Sequence, residues 1–252
     1  MKLTHALQTR PKTNRLAFYS YLLRRAALGR SSGFGKEMVV EYKGNRFIYG
    51  KGHEEAAYSL YLDETEPQTY EYMTNLSGDL FVDLGANVGG YTVRLAKKFR
   101  EVISVEPNPG AARSLRDDVD LNHLDNVKVV EKAVWDSVGE ATLWVPASKK
   151  TTRSSITQHF QGGASFRVET VTLDDLTKGY EKVDLIKVDV EGADLAALRG
   201  GKETLKRTSR LVIELSPKGE AAVKGILAPL GFRFSYLDTK VNNIRNMLAE
   251  MA

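Results

Sequence analysis

Cysteine is absent from the 252-residue chain. That absence removes disulfides, thiolate zinc sites and every mechanism built on a cysteine nucleophile. Long apolar runs are missing too: no window of about eighteen residues is free of charge, as a membrane-crossing helix requires. The apolar run from Phe18 to Leu23 stops at Arg24-Arg25 without the small-residue site of a cleaved leader. The expectation is a cytoplasmic protein with no transmembrane segment. Hydrophobic content of 42% against 27% charged residues is that of a folded globular chain, which excludes disorder as the default. What the chain does have is an uneven charge. The net value is +4, yet residues 1 to 50 hold 10 Lys/Arg against 2 Asp/Glu, so the basic character belongs to the N-terminal segment.

The length suits one α/β domain with an appendage. Leu16, Tyr19, Leu23 and Ala26 fall at helical spacing within residues 12–30, with Arg15, Arg24, Arg25 and Arg30 around them. This predicts an amphipathic helix that contacts RNA, an anionic membrane surface or the protein's own main domain. Alternation around Lys43-Gly44-Asn45 predicts a hairpin over 37–49, and 54–73 reads as one or two helices broken at Pro67. Residues 1–78 are therefore read as a basic helix, hairpin and cap segment, and 79–252 as the main domain.

From residue 80 the pattern becomes regular. Strands are expected at 80–84, 101–105, 127–134, 183–190, 210–215 and near 232–237, with helices at 89–99, 109–122, 193–206 and 219–230. This alternation predicts a Rossmann-like α/β fold, a mostly parallel twisted sheet with helices on both faces. Residues 136–175 interrupt it as an insertion before the fourth core strand, with short strands at 141–145 and 167–172. The Ser/Thr/Gly/Lys-rich stretch 146–165 is the candidate for a mobile lid.

Leu80 to Tyr91 reads as a buried strand turning through glycines into a helix. A dinucleotide fingerprint has a bare glycine at the middle position, where a pyrophosphate approaches the backbone. Here Gly85 and Gly90 hold the outer positions and Asn87 the middle one. A side chain there obstructs a diphosphate and suits a cofactor with a ribose and an amino acid but no phosphate, which describes S-adenosylmethionine. Glu106, ending the next apolar strand, can accept from both ribose hydroxyls. Asp83 either accepts from the cofactor amine or stiffens the glycine turn, while Gly85 and Gly89 serve backbone geometry and close approach. Ala133 leaves room for a flat ring, and Trp135 either stacks nearby or belongs to the core.

A second constellation closes the strand Val183 to Val190, where Asp189 and Glu191 precede Gly192. Two carboxylates at the end of a buried strand are costly unless paired or used. They either face a cationic sulfur and a reacting hydroxyl, or cap the following helix. Spacing shows no third ligand for a magnesium-type site, so no metal is expected. Glu214 ends the next strand in the same way and is a candidate for the acceptor pocket. His159 and Lys187 are weaker candidates for a proton acceptor.

Together these stretches resemble the FkbM-type methyltransferases, a branch of the class I S-adenosylmethionine-dependent enzymes. The likeness spans roughly residues 66–235 and rests on Phe81-Val-Asp-Leu-Gly-Ala-Asn-Val-Gly, Val105-Glu-Pro-Asn-Pro, Lys132-Ala-Val-Trp-Asp, Ser154-Ser-Ile, Val171-Thr-Leu-Asp-Asp-Leu and Ile186-Lys-Val-Asp-Val-Glu-Gly-Ala-Asp. The resemblance implies that Asp83, Gly85, Asn87, Gly89, Glu106, Pro107, Ala133 and Asp189 contact the cofactor. It also implies that Asp189, Glu191 and Glu214 serve catalysis beside the transferred methyl. The family often has glutamate where Asp194 stands and a histidine near Ser216, which this chain lacks. The implied reaction is O-methylation of a sugar, lipid or other small molecule. RNA methylation guided by the arginines at 15, 24, 25 and 30 is the alternative, although the covalent route to pyrimidine carbon 5 is closed without cysteine. A non-catalytic cofactor-binding module is the third reading.

Overall fold

The computed structural model describes residues 12–14, 37–50, 53, 62–146, 154–239 and 243–252. Three N-terminal strands, β1 (Lys12–Asn14), β2 (Met38–Tyr42) and β3 (Asn45–Tyr49), form a small sheet in that order. The expected hairpin is present: Lys43 and Gly44 both have positive φ, the twist that a two-residue turn between strands requires. The expected helix over 12–30 is corrected at its start, because residues 12–14 pair in parallel with Val39 to Glu41. The rest of that segment, with Arg15, Arg24, Arg25 and Arg30, lies outside the described residues.

A helix α1 (Pro67–Thr74) leads into the main sheet, whose strands are β4 (Gly78–Leu84), β5 (Phe99–Val105), β6 (Val127–Val130), β10 (Leu185–Val188), β11 (Arg210–Leu215), β12 (Phe232–Thr239) and β13 (Arg245–Met251). Their order is β12-β13-β11-β10-β4-β5-β6, and only β13 runs antiparallel to its neighbours. The chain builds outward from β4 to β6, then returns to the other side of β4 through β10. The strand order therefore reverses between β4 and β10, and a crevice opens beyond their carboxyl ends. The Rossmann-like expectation holds. The last strand was not expected: Arg245 to Met251 is rich in Ala, Leu, Met and Glu, which favour helix, and only its position between β11 and β12 makes it a strand.

Helices cover both faces. One face packs Val82, Leu84, Ile186, Val188 and Ile213 under α5 (Asp194–Arg199) and α7 (Pro217–Leu227). The other packs Phe81, Leu185, Val212 and Leu248 under α2 (Gly90–Leu95), α3 (Pro109–Leu121) and the hairpin. The hairpin's outer strand is satisfied by side chains of the α3 end: Asp118 Oδ1 accepts from Ile48 N at 2.8 Å and Asn122 Oδ1 from Arg46 N at 2.9 Å.

Two elements end earlier than their periodicity suggests. The expected strand 127–134 breaks after Val130, because β7 (Ala133–Val134) leaves the main sheet to pair with β9 (Ala164–Val171). The expected helix 193–206 breaks at Gly200-Gly201 into α5 and α6 (Lys202–Leu205). There a β-carbon on Gly200 would stand 2.3 Å from the Trp135 carbonyl oxygen, and one on Gly201 2.6 Å from Leu173 Cδ2. The insertion is a hairpin of β8 (Gly139–Val145) and β9, with α4 (Leu173–Leu176) following it. Within the lid candidate, residues 147–153 lie outside the described residues. The part beyond them is tied down, since Ser155 Oγ and Thr157 Oγ1 donate to the Glu191 carbonyl at 2.9 and 3.3 Å. Among the described residues no helix is long and apolar enough to cross a membrane.

Candidate active site

Side chains two apart on a strand share a face. Asp83 and Lys187 are register partners on β4 and β10, and Glu214 and Asn246 are partners on β11 and β13. Asp189 lies two residues beyond Lys187. A polar row therefore runs along the carboxyl edge of the sheet on the face covered by α2, and it forms one wall of a cavity of about 350 Å³. Asp83, Gly85, Asn87, Glu106, Pro107, Ala133, Asp189, Glu191 and Glu214 all line that cavity. Gly89 does not. It sits at the start of α2 with a φ of +84°, and a β-carbon there would lie 2.4 Å from Leu115 Cδ1, so its bareness serves helix packing. Trp135 and His159 are also outside the lining; His159 packs edge-on against Trp144 with ring centres 4.3 Å apart.

The glycine loop is shaped by close approach. Gly85 has a φ of +77°, and a β-carbon would fall 1.9 Å from the Asp189 carbonyl oxygen. Asn87 follows with a φ of +50°, and its Oδ1 is buried with no hydrogen-bond partner among the described residues. A buried unpartnered acceptor in a cavity wall suits an incoming donor such as an ammonium group. Glu106 is fixed from behind: Oε2 accepts from Asn87 N at 2.9 Å and Oε1 from Asn108 N at 2.8 Å. Its planar pair of acceptors is thereby held at the end of β5, the geometry a vicinal diol needs.

Asp83 is turned inward and 2% exposed, with Oδ2 accepting from Thr92 Oγ1 at 2.7 Å. This ties the end of β4 to α2, the stiffening role. Burial raises the Asp83 carboxyl above its ordinary range, while the Lys187 charge and the Thr92 hydroxyl oppose that rise. Lys187 is 4% exposed and its ammonium lies 2.8 Å from Asp189 Oδ2 and 5.2 Å from the Tyr91 ring centre. Burial works to strip its proton, but Asp189, Glu66, Asp83 and Glu214 surround it and hold the proton more firmly than in water. A lysine so placed is no proton acceptor. Capping by Asp189 or Glu191 is not observed either, because the N-cap residue of α5 is Ala193 and no side chain caps the helix. Glu191 instead takes a left-handed φ of +46° in the turn after β10. Beside it, burial and the Asp189 charge push the Asp194 carboxyl up to about 6.

Among the described residues, six carboxyl groups line the cavity, Glu66, Asp83, Glu106, Asp189, Glu191 and Glu214, against one ammonium, Lys187. A field of that sign favours a cation and opposes a diphosphate. Among the described residues no group of three or more His, Asp or Glu gathers to hold a metal ion. Glu66 and Tyr91 escape a reading by motif. Lys187 falls on the Asp189 face by simple alternation.

A mostly parallel sheet with this reversal, a glycine loop carrying Asn87 at its middle position and an acidic crevice agree with the class the family match shows, an S-adenosylmethionine-dependent methyltransferase. The chain belongs to the methyltransferase FkbM domain family, whose model matches residues 83–251. It is 25% identical over 209 residues to methyltransferase sdnD of Sordaria araneosa, covering 69% of this chain and 81% of that protein. To the 2-O-methyltransferase NoeI of Sinorhizobium fredii it is 29% identical over 172 residues, covering 59% and 69%. Among solved structures, M. jannaschii TYW2 in complex with AdoMet aligns with a TM-score of 0.48 at 15% identity, covering 86% of this chain and 89% of that one. Family membership sets aside the non-catalytic reading.

Proposed function

We propose that the protein methylates a hydroxyl group on a sugar, lipid or other small molecule. The observation that carries this reading is the acidic cavity at the reversal of strand order, with Glu106 at one end and Asp189 and Glu214 at the other. The name of the NoeI relative, a 2-O-methyltransferase, supports the choice of oxygen. When bound, S-adenosylmethionine supplies an electrophilic methyl group on a cationic sulfur. Glu106 and Pro107 hold the ribose side, and Ala133 leaves space for the adenine. Gly85 lets the backbone approach, Asn87 receives the ammonium, and Gly89 supports the loop by seating α2. Asp83 anchors the loop from beneath.

Asp189, Glu191 and Glu214 form the side that faces the reacting hydroxyl. Transfer needs the acceptor oxygen in line with the methyl carbon, so most of the rate comes from holding the two together. An alcohol must also lose its proton, and Asp189 is the residue assigned to take it, oriented by Lys187. No observation among the described residues favours RNA as the acceptor. Asp189→Asn, which keeps an oxygen for Lys187, is expected to keep cofactor affinity in calorimetry and to lower turnover about 100-fold or more. Undiminished transfer of labelled methyl by that variant would falsify the assignment.

A further inference from the structure

Two cavity-lining residues, Leu62 and Glu66, precede the stretch that matches the family, which begins at residue 83. Glu66 is 6% exposed, and its Oε2 accepts from Tyr91 Oη at 3.1 Å and from Asn246 Nδ2 at 2.9 Å. Asn246 in turn donates to Thr69 Oγ1 at 2.9 Å and is the register partner of Glu214. Glu66 is thereby pinned on the β11 side of the crevice, across Lys187 from the end that Glu106 occupies. The start of α1 is pinned as well: Asp238 Oδ2 accepts from Thr69 N at 2.7 Å and Oδ1 from Gln68 N at 3.3 Å. A carboxylate this deeply buried at a cavity wall, held by partners from two other elements, is a site-building residue.

We propose that Glu66 and Tyr91 form the subsite that receives the methyl acceptor, admitting an uncharged hydroxyl-bearing molecule and turning away an anionic one. The proposal rests on the hydroxyl-methylation reading above and adds to it the charge class of the acceptor. A carboxylate accepts hydrogen bonds from hydroxyls, whereas a phosphate or carboxylate on the acceptor brings like charge into a site where, among the described residues, Glu66, Asp189 and Glu214 outnumber Lys187.

The test uses the full chain, methyl-labelled S-adenosylmethionine and an extract of the organism that encodes it, passed over a cation exchanger and then an anion exchanger to give an uncharged flow-through and an anionic fraction retained on the second column. Wild type should label the flow-through. Glu66→Gln keeps an oxygen for Tyr91 and Asn246 and removes the charge. It should bind cofactor as wild type does in calorimetry, label the flow-through about tenfold less at limiting extract through a raised acceptor KM, and gain labelling of the retained fraction. Tyr91→Phe, which removes one donor to Glu66 while keeping the ring over Lys187, should move acceptor KM in the same direction by less. Label entering the retained fraction with wild type, or equal flow-through labelling by Glu66→Gln, overturns the proposal and leaves hydroxyl methylation standing. No label in either fraction, with cofactor binding intact, overturns hydroxyl methylation and this proposal with it.

Discussion

Lys187→Met replaces the one ammonium that lines the cavity among the described residues with an apolar chain of similar length and leaves the carboxylates behind. Removing one partner of a buried ion pair costs about 3–5 kcal/mol, because the other charge stays buried without compensation. Asp189 keeps 28% of its side-chain surface exposed, which lets water soften its share, whereas Asp83 has no such outlet. The lower end, about 3 kcal/mol near pH 8, is expected, a fall in Tm of about 6–12 °C for a domain of this size. The pH dependence has a definite sign. Burial already raises the Asp83 carboxyl, and Lys187 is the charge that restrains it. Without Lys187 the folded-state value climbs further, so the variant is most stable where Asp83 is protonated and loses stability as pH rises through that value. The deficit against wild type should therefore shrink near pH 5. Denaturant melts of both proteins at pH 5 and pH 8 measure it. Equal stability at pH 8, or a deficit that grows toward acid, refutes the account of Lys187 as the charge holding this wall together.

Asp194 offers a second pH test. Its carboxyl, at about 6 in the folded protein against an ordinary 3.8, favours the fold below its unfolded value and loses that contribution as pH rises through about 6. Asp194→Asn should flatten the decline between pH 4 and 6 by about 2 kcal/mol in pH-dependent melts, and an unchanged slope contradicts the burial argument. Gly85→Ala places a β-carbon against the Asp189 carbonyl at a left-handed φ. A loss of about 2–4 kcal/mol, with cofactor affinity falling together with stability, is expected from melts and calorimetry. Wild-type values for both would show that the loop is looser than its geometry implies.

The alternation of apolar strands and helical stretches carries the main sheet, because a parallel strand buried on both faces reads as an uninterrupted apolar run. Strand β13 was opaque for the complementary reason. Its residues favour helix locally, and the pairing that makes it a strand is made with β11 and β12 far along the fold. The breaks at Val130 and at Gly200-Gly201 were equally tertiary, set by where β7 and Trp135 sit. In the cavity, Asp83, Asp189 and Glu214 were legible because each ends or nearly ends a strand whose carboxyl end faces the crevice. Glu66 was not. Nothing in Leu62 to Pro67 marks a site, and the residue is held at the cavity by bonds to Tyr91 and to Asn246, which lies 180 positions later in the chain.

That last separation bears on biosynthesis. Asp238 and Asn246 hold α1 and Glu66 in place, so a nascent chain emerging from the ribosome can pair β4 with β5 long before the pocket wall opposite Glu106 exists. The wall at Glu106 can therefore form while the residues that pin Glu66 are still to be synthesised.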